Sequence, residues 1–416
     1  MATQGSRSIL FTSTLPQQGF RLLELTPELE ELLSLEDAPT LQLKSPSAAL
    51  ARAVIDPSAL EYVNLCTPTR TYRIRQVQSS NSLHILQPSL GQISKEDIKV
   101  VEDTDTDGEN IQSLTTLVDG TVTTIAKCGS TLELHTPPEG FSAVPFLEKS
   151  LALYDRRIGD EDVDVDVDMV HADESMDGFN TSAPVDGRTL RDRVFADIPV
   201  SAEQCEVAWM GLCAFVDERQ GICFRPSARM RLTLWKRLVE GATLQGIDLN
   251  KQFLVRDLWK SVLDDDDDMN GDGNGNVASP FPRAFFEAVV RRLCVVDERP
   301  ALSAEVKWAS FDKVECASWV GETYLAATAP TSTSAVSRSE FIHAWKDCLP
   351  ESWGEEASLS KLPPGSFQNS DPTTLYYVDP SQRQQTGKAA GSAPAAATKV
   401  KSARNWHELL KNPKSR

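Results

Sequence analysis

The sequence predicts an α+β multidomain protein: an N-terminal β-rich, barrel-like domain followed by tandem winged-helix domains. Three observations carry this. Apolar residues alternate with polar ones through the first 135 or so positions, the spacing of half-buried strands. From Thr189 to about Tyr377 the apolar spacing becomes helical, interrupted by short strand pairs. Between them lies GDEDVDVDVDMVHADESMDG, Gly159 to Gly178, where aspartates alternate with valines. A strand there would carry a row of like charges on one face, so a disordered acidic linker is expected, with a short hydrophobic–acidic binding motif as the other reading.

In chain order, Thr26-Pro27 opens a short helix, threonine as cap and proline at the first helical position. The TLQL segment reads as a strand. CTPTRTYRIRQVQSSNSLHIL, Cys66 to Leu86, reads as two short strands around a polar turn, Tyr72 and Ile74 facing one way, Arg73 and Arg75 the other. Val122, Leu132 and Leu134 continue the alternation, EDTDTDGEN (102–110) is a polar loop, and PFLEKSLALYD reads as a closing helix. A small barrel or sandwich buries such strands.

In the helical half, Ser201 and Gln204 form a capping box, CAFVDERQGICF a strand–turn–strand with Gly221 in the turn, and Leu232, Trp235, Leu238 and Val239 one stripe of the next helix. Two helices and a hairpin wing within about 70 residues suggest a winged helix. QFLVRDLWKSVL and FPRAFFEAVVRRL add helices, ALSAEVKWASF a strand and DKVECASWVGETYLA a helix. Ser337 and Glu340 form a second capping box on SEFIHAWKDCLPESW, and TTLYYV is a wing strand. The expected domains are 1–157 (β-rich, partner-binding), 158–187 (acidic linker), 188–247, 248–330 and 331–382 (three winged helices, the second with an acidic insertion at 264–279), and 383–416 (basic tail).

Composition narrows the function. At 416 residues the chain suggests two to four domains. No apolar run is long enough for a membrane span, and the first twenty residues lack the pattern of a secretory signal. The eight cysteines form no CxxC pair, so no structural zinc site is expected and the thiols are read as reduced and mostly buried. The net charge of −18 argues against a protein that coats nucleic acid with its whole surface, yet residues 383–416 carry +7. Asp268, Asn270, Asp272 and Gly273 match half of a calcium loop, but Ser279 stands where the closing glutamate belongs, which favours a solvated acidic loop. There is no GxxxxGK[ST], GxSxG or HExxH. No enzyme, cofactor or metal is expected.

Basic residues are the candidate DNA contacts. Arg229, Lys236 and Arg237 share roughly one quadrant of a helix at about 100° per residue, and Arg225 leads into it; a solvated surface and a phosphate-contacting one fit this equally. In the tail, Lys399, Lys401 and Arg404 surround Trp406, which suits a DNA-tethering arm, a helix docking on a partner, or a solubilising end.

CTPTRTYRIRQVQSSNSL resembles the cysteine-Thr…Tyr-x-x-Arg-x-x-x-Ser-Asn-Ser/Thr hairpin of the Dcc-type sister-chromatid-cohesion subunit of the alternative, Ctf-type replication factor C clamp loader. The PPEG…LALYD segment and EFIHAWKDCLPESW are similar to it too, so that about two-thirds of the chain is covered. The acidic linker, the Asp264–Asn276 insertion and the basic tail depart from the pattern. The resemblance implies a non-catalytic subunit in the nucleus, acting in sliding-clamp loading or unloading during replication and in cohesion. The implied partners are the small and large Ctf-type loader subunits, DNA polymerase epsilon, DNA bound without sequence preference and, indirectly, the sliding clamp; no membrane is implied. Tyr72, Arg73, Ile74 and Arg75 would then lie on a strand edge that a partner completes, Tyr72 and Ile74 packed inward and the arginines as rim charges. The alternative is a free-standing winged-helix transcription regulator; an enzyme using carboxylates or a metal comes third.

Overall fold

The computed structural model describes residues 11–13, 18–46, 62–88, 122–138, 140–156, 186–263, 281–295, 301–302, 304–380 and 383. The acidic linker, the EDTDTDGEN loop, the Asp264–Asn276 insertion and tail residues Lys399, Lys401 and Arg404 lie outside them. The fold is mixed α+β, in two compact units that each draw on two stretches of chain: 1–226 with 266–309, and 227–265 with 310–416.

The first unit begins with a six-stranded sheet built from β1 (Phe11–Ser13), β2 (Leu22–Leu23), β3 (Gln42–Lys44), β4 (Asn64–Cys66), β5 (Thr71–Pro88) and β6 (Val122–His135), in the order β1-β6-β5-β4-β3, with β2 also on β6. β1 and β2 run parallel to β6 and the remaining pairs are antiparallel. The sheet does not close into a barrel among the described residues. Helix α1 (Pro27–Leu33), capped by Thr26 as expected, buries Leu29 against Leu65 and Tyr72 on one sheet face.

The polar run after Tyr72 is not a turn. β5 continues through it for 18 residues, and four residues (79–82) bulge opposite Gly129, between the pairs Gln78↔Ser130 and Leu83↔Cys128. The expected hairpin is therefore one long strand whose partner lies some fifty residues onward; bulging absorbs the extra residues that looked like a loop.

The rest of this unit comprises α2 (Val144–Ser150), β7 (Ala152–Tyr154), α3 (Gly187–Asp197), α4 (Ala202–Gly211), β8 (Phe215–Asp217), β9 (Ile222–Pro226) and, from the second stretch, Arg283–Leu293. The expected helix PFLEKSLALYD stops at Ser150; Ala152–Tyr154 instead pairs in parallel with β9, and Tyr154 stands edge-on to Phe215 and Phe224. The Ser201/Gln204 capping box is formed, and Gly221 turns the β8–β9 hairpin with φ 68°, a conformation that costs glycine little. Phe195, Ile198, Cys205 and Trp209 form a core with Leu147 and Leu151.

The second unit comprises α5 (Ala228–Leu244), α6 (Val255–Leu263), α8 (Lys313–Thr328) and α9 (Arg338–Asp347), Arg283–Leu293 of the first unit counting as α7 in chain order. A three-stranded sheet, Val336–Ser337, Thr374–Tyr377 and Phe367–Asn369 in that order, accompanies them. The α5 stripe is core: Trp235 and Leu238 are fully buried, Trp235 stacks with Trp353, and its indole N–H donates to Cys348 O at 2.7 Å. The Ser337/Glu340 capping box does not form; Ser337 Oγ meets Ser339 Oγ at 2.9 Å instead. All eight cysteines are free, seven of them buried. Burial pushes the thiol of Cys205 up to about 12 and that of Cys223 to about 11.

Candidate partner and nucleic-acid surfaces

The CTPTRT stretch is a latch. The Thr67 hydroxyl accepts the N–H of Arg70 at 2.8 Å and Thr67 N donates to Arg70 O, closing a tight turn between β4 and β5. The Thr71 hydroxyl, buried, then accepts the N–H of Ser201 at 2.8 Å and donates to Gln204 Oε1 at 2.6 Å. Asn64 Nδ2 donates to Pro199 O, and Lys44 Nζ to Phe195 O and Val200 O. Three strands thus hold the α3–α4 turn by satisfying its backbone groups, and the capping box that starts α4 doubles as a binding site for the sheet.

Next along β5, Tyr72 and Ile74 pack inward on Leu29, Leu65 and Leu134. Arg73 is not a rim charge. Its guanidinium lies 4.7 Å from the centre of the Tyr62 ring and 5.7 Å from that of Phe141, as a cation packed on aromatic faces. Arg75 does reach solvent, but its fork meets Glu133, directly opposite on β6, at 2.6 and 3.0 Å. Such an exposed cross-strand pair contributes about 0.2–1 kcal/mol. β4 flanks residues 71–74 on one side, through the pairs Thr71↔Cys66 to Arg73↔Asn64 and the Ile74 N–H to Val63 O bond, and β6 pairs with Arg73 and Ile74 on the other, so these two are interior to the sheet.

Farther along, β5 has a described strand on one side only. Beyond Ile74 no described strand runs on the β4 side of β5, while β6 holds its other side to Pro88. Exposed apolar side chains lie on this stretch of β5, Leu83 (49% exposed) and Leu86 (47%), and Val63 stands at the end of β4. Among the described residues, eight of the thirteen large exposed apolar side chains fall between Phe20 and Leu86.

The four basic residues grouped by sequence fall in two different units. Arg225 is in β9, in the first unit, its Nε donating to Glu148 O at 3.1 Å. Arg229, Lys236 and Arg237 are on α5 in the second; Arg229 and Lys236 are exposed, and Arg237 is half-buried with Glu240 at 4.0 Å. Among the described residues no three His, Cys, Asp or Glu side chains cluster as a metal set, and no helix is long and apolar enough to cross a membrane.

Compared with known families, residues 20–387 match the one described as sister chromatid cohesion protein Dcc1. The chain belongs to that family. Membership in the Dcc1 family carries a role in sister chromatid cohesion. The match spans both structural units, including the latch and β5. No curated protein matches the chain.

One charged residue escaped the sequence reading. Arg291, in the run AVVRRL, is buried and donates to Ala301 O, Leu302 O and Ala304 O at 2.6–3.2 Å. Nothing local signals this, because its acceptors are backbone carbonyls ten to thirteen positions away.

Proposed function

We propose that the chain is a non-catalytic nuclear subunit of the alternative clamp loader, acting in sliding-clamp loading or unloading and in cohesion. The observation that carries this reading is the β5 margin, with exposed Leu83 and Leu86 beside it. A strand from a companion subunit, the small Ctf-type protein or the tail of the large one, completes the sheet there, gaining backbone hydrogen bonds and covering leucines. Of the four residues Tyr72–Arg75, Arg75 is the one that meets this partner; the other three shape the sheet from within. The sheet, so completed, bridges the loader to DNA polymerase epsilon.

The test uses the full chain with its companion subunits. Leu83→Lys with Leu86→Lys should abolish co-purification while leaving the thermal unfolding midpoint of the isolated chain unchanged, since both side chains are already half in water. Undiminished assembly would remove the seam from consideration.

For DNA, the run of α3, α4 and the β8–β9 hairpin supports reading residues 187–226 as part of a winged-helix unit, and exposed Arg229 and Lys236 supply phosphate contacts. Changing Arg229, Lys236 and Arg237 to glutamate should weaken duplex binding and lower the slope of log affinity against log salt by about 0.9 for each phosphate no longer neutralised. An unchanged slope refutes the assignment.

A further inference from the structure

A cleft of about 390 Å³ opens in the first unit among α3, α4, β8 and α7. Its base is apolar, formed by Trp209, Phe215 and Leu302. Three arginines line it: exposed Arg188 and, each only 9% exposed, Arg191 from α3 and Arg291 from α7. Each of the latter two keeps one buried donor without an acceptor, although three backbone carbonyls hold the rest of the Arg291 guanidinium. That donor is Nε in both, with no acceptor among the described residues, and Arg191 Nη2 reaches only the neighbouring Asp192, at 3.3 Å. Burial lowers the proton affinity of Arg291, Glu287 and Cys294 oppose this, and the charge of Arg191 adds a smaller lowering. Buried donors without acceptors are costly, and like charges brought together favour an anion between or beside them.

The carboxylates in the lining are mostly engaged. Asp186 accepts the N–H of Arg188 as the cap of α3, and Glu287 is held by Arg283 at 2.9 Å. Glu218 is exposed, its Oε1 2.8 Å from where a Cβ on Gly187 would stand, at the start of α3. Against the three arginines of the lining, these three carboxylates leave no net positive charge, which disfavours a polyphosphate strand and limits the site to a single carboxylate at the buried arginine. A volume near the lower end of ligand pockets and an apolar base suit two or three residues of peptide.

We propose that this cleft docks a short acidic–apolar peptide segment of a partner protein. One carboxylate of the peptide is received by Arg191 with exposed Arg188 at the rim, and the adjacent apolar side chain packs on Trp209, Phe215 and Leu302. Charge complementarity fixes the acid, and the base fixes its neighbour. The site contains no residue of the front sheet and stands whether or not the seam does.

Random heptapeptides displayed on phage, panned against the full chain, test this. Enriched sequences should carry Asp or Glu beside Leu, Ile or Phe, and the corresponding synthetic peptides should bind Arg191→Gln and Arg188→Glu at least about tenfold more weakly than the parent. Should Arg191→Gln not fold, Arg188→Glu, whose side chain is exposed, decides alone. No enrichment, equal binding by the folded variants, or displacement of the peptides by a 20-base-pair duplex would each overturn the proposal.

Discussion

Replacing Thr71 with valine would keep the shape of the side chain and remove only its hydroxyl. That atom accepts the Ser201 N–H at 2.8 Å and donates to Gln204 Oε1 at 2.6 Å, and both Thr71 and Ser201 are buried. Two hydrogen bonds removed at about 1 kcal/mol each, with the Ser201 donor left to a 3.4 Å approach from Gln204 Oε1, give a cost of about 2–4 kcal/mol. Thr71→Ser keeps the hydroxyl, loses a buried methyl, and should cost about 1 kcal/mol. Urea unfolding of the full chain measures both. Hydrogen exchange localises the effect: the Ser201 amide should exchange about 30- to 1,000-fold faster in Thr71→Val if its protection comes from the latch. A valine variant within about 0.5 kcal/mol of the parent, or a serine variant as damaged as the valine one, would refute the latch.

Two further outcomes follow from particular contacts. A Cβ on Gly321 would stand 2.4 Å from Trp345 Cε2, and Trp345 is fully buried with its indole N–H tied to Ala317 O; Gly321→Ala should therefore destabilise by about 1–2 kcal/mol in urea, despite a helix-propensity gain of about 1 kcal/mol, and a stabilised variant would show that the helices part freely. The side-chain and backbone bonds from Thr373, with those from Thr374, hold the Asp371 carboxyl down at about 2 against 3.8 for the free group. A depressed folded-state value means its contribution is complete above about pH 4 and disappears as pH falls toward 2, so the stability difference between the parent and Asp371→Asn should shrink across that window. A difference constant from pH 5 to pH 2 would contradict this.

Much of the chemistry that closes within one turn was readable from the sequence. The Ser201/Gln204 box, the Thr26-Pro27 start and the Trp235–Leu238 stripe are formed because their partners lie three or four residues away. Distant partners were not readable. Gln76–Ser82 looked like a turn because polar residues on an exposed ribbon lose the alternation that marks a half-buried strand, and only Val122–His135 reveals its extension. Arg225 looked like part of a basic face, but its acceptor is Glu148 O, 77 residues earlier. Ser337 had the right neighbour for a cap, yet its hydroxyl found Ser339 first. The strand edge expected at Tyr72–Arg75 is taken up by β4 as far as Ile74, a pairing with residues that lie earlier in the chain and that alternation along β5 does not announce.

The chain leaves the first unit at Pro226, builds α5 and α6, and returns to supply α7 before departing again after Ala309. During synthesis, therefore, about sixty residues must follow the β8–β9 hairpin off the ribosome before Phe285 can cover Phe215, an interval of several seconds at about 5–20 residues per second. A nascent chain in that interval shows an aromatic surface to whatever waits at the exit tunnel, and any transcript truncated before α7 yields a polypeptide that keeps showing it.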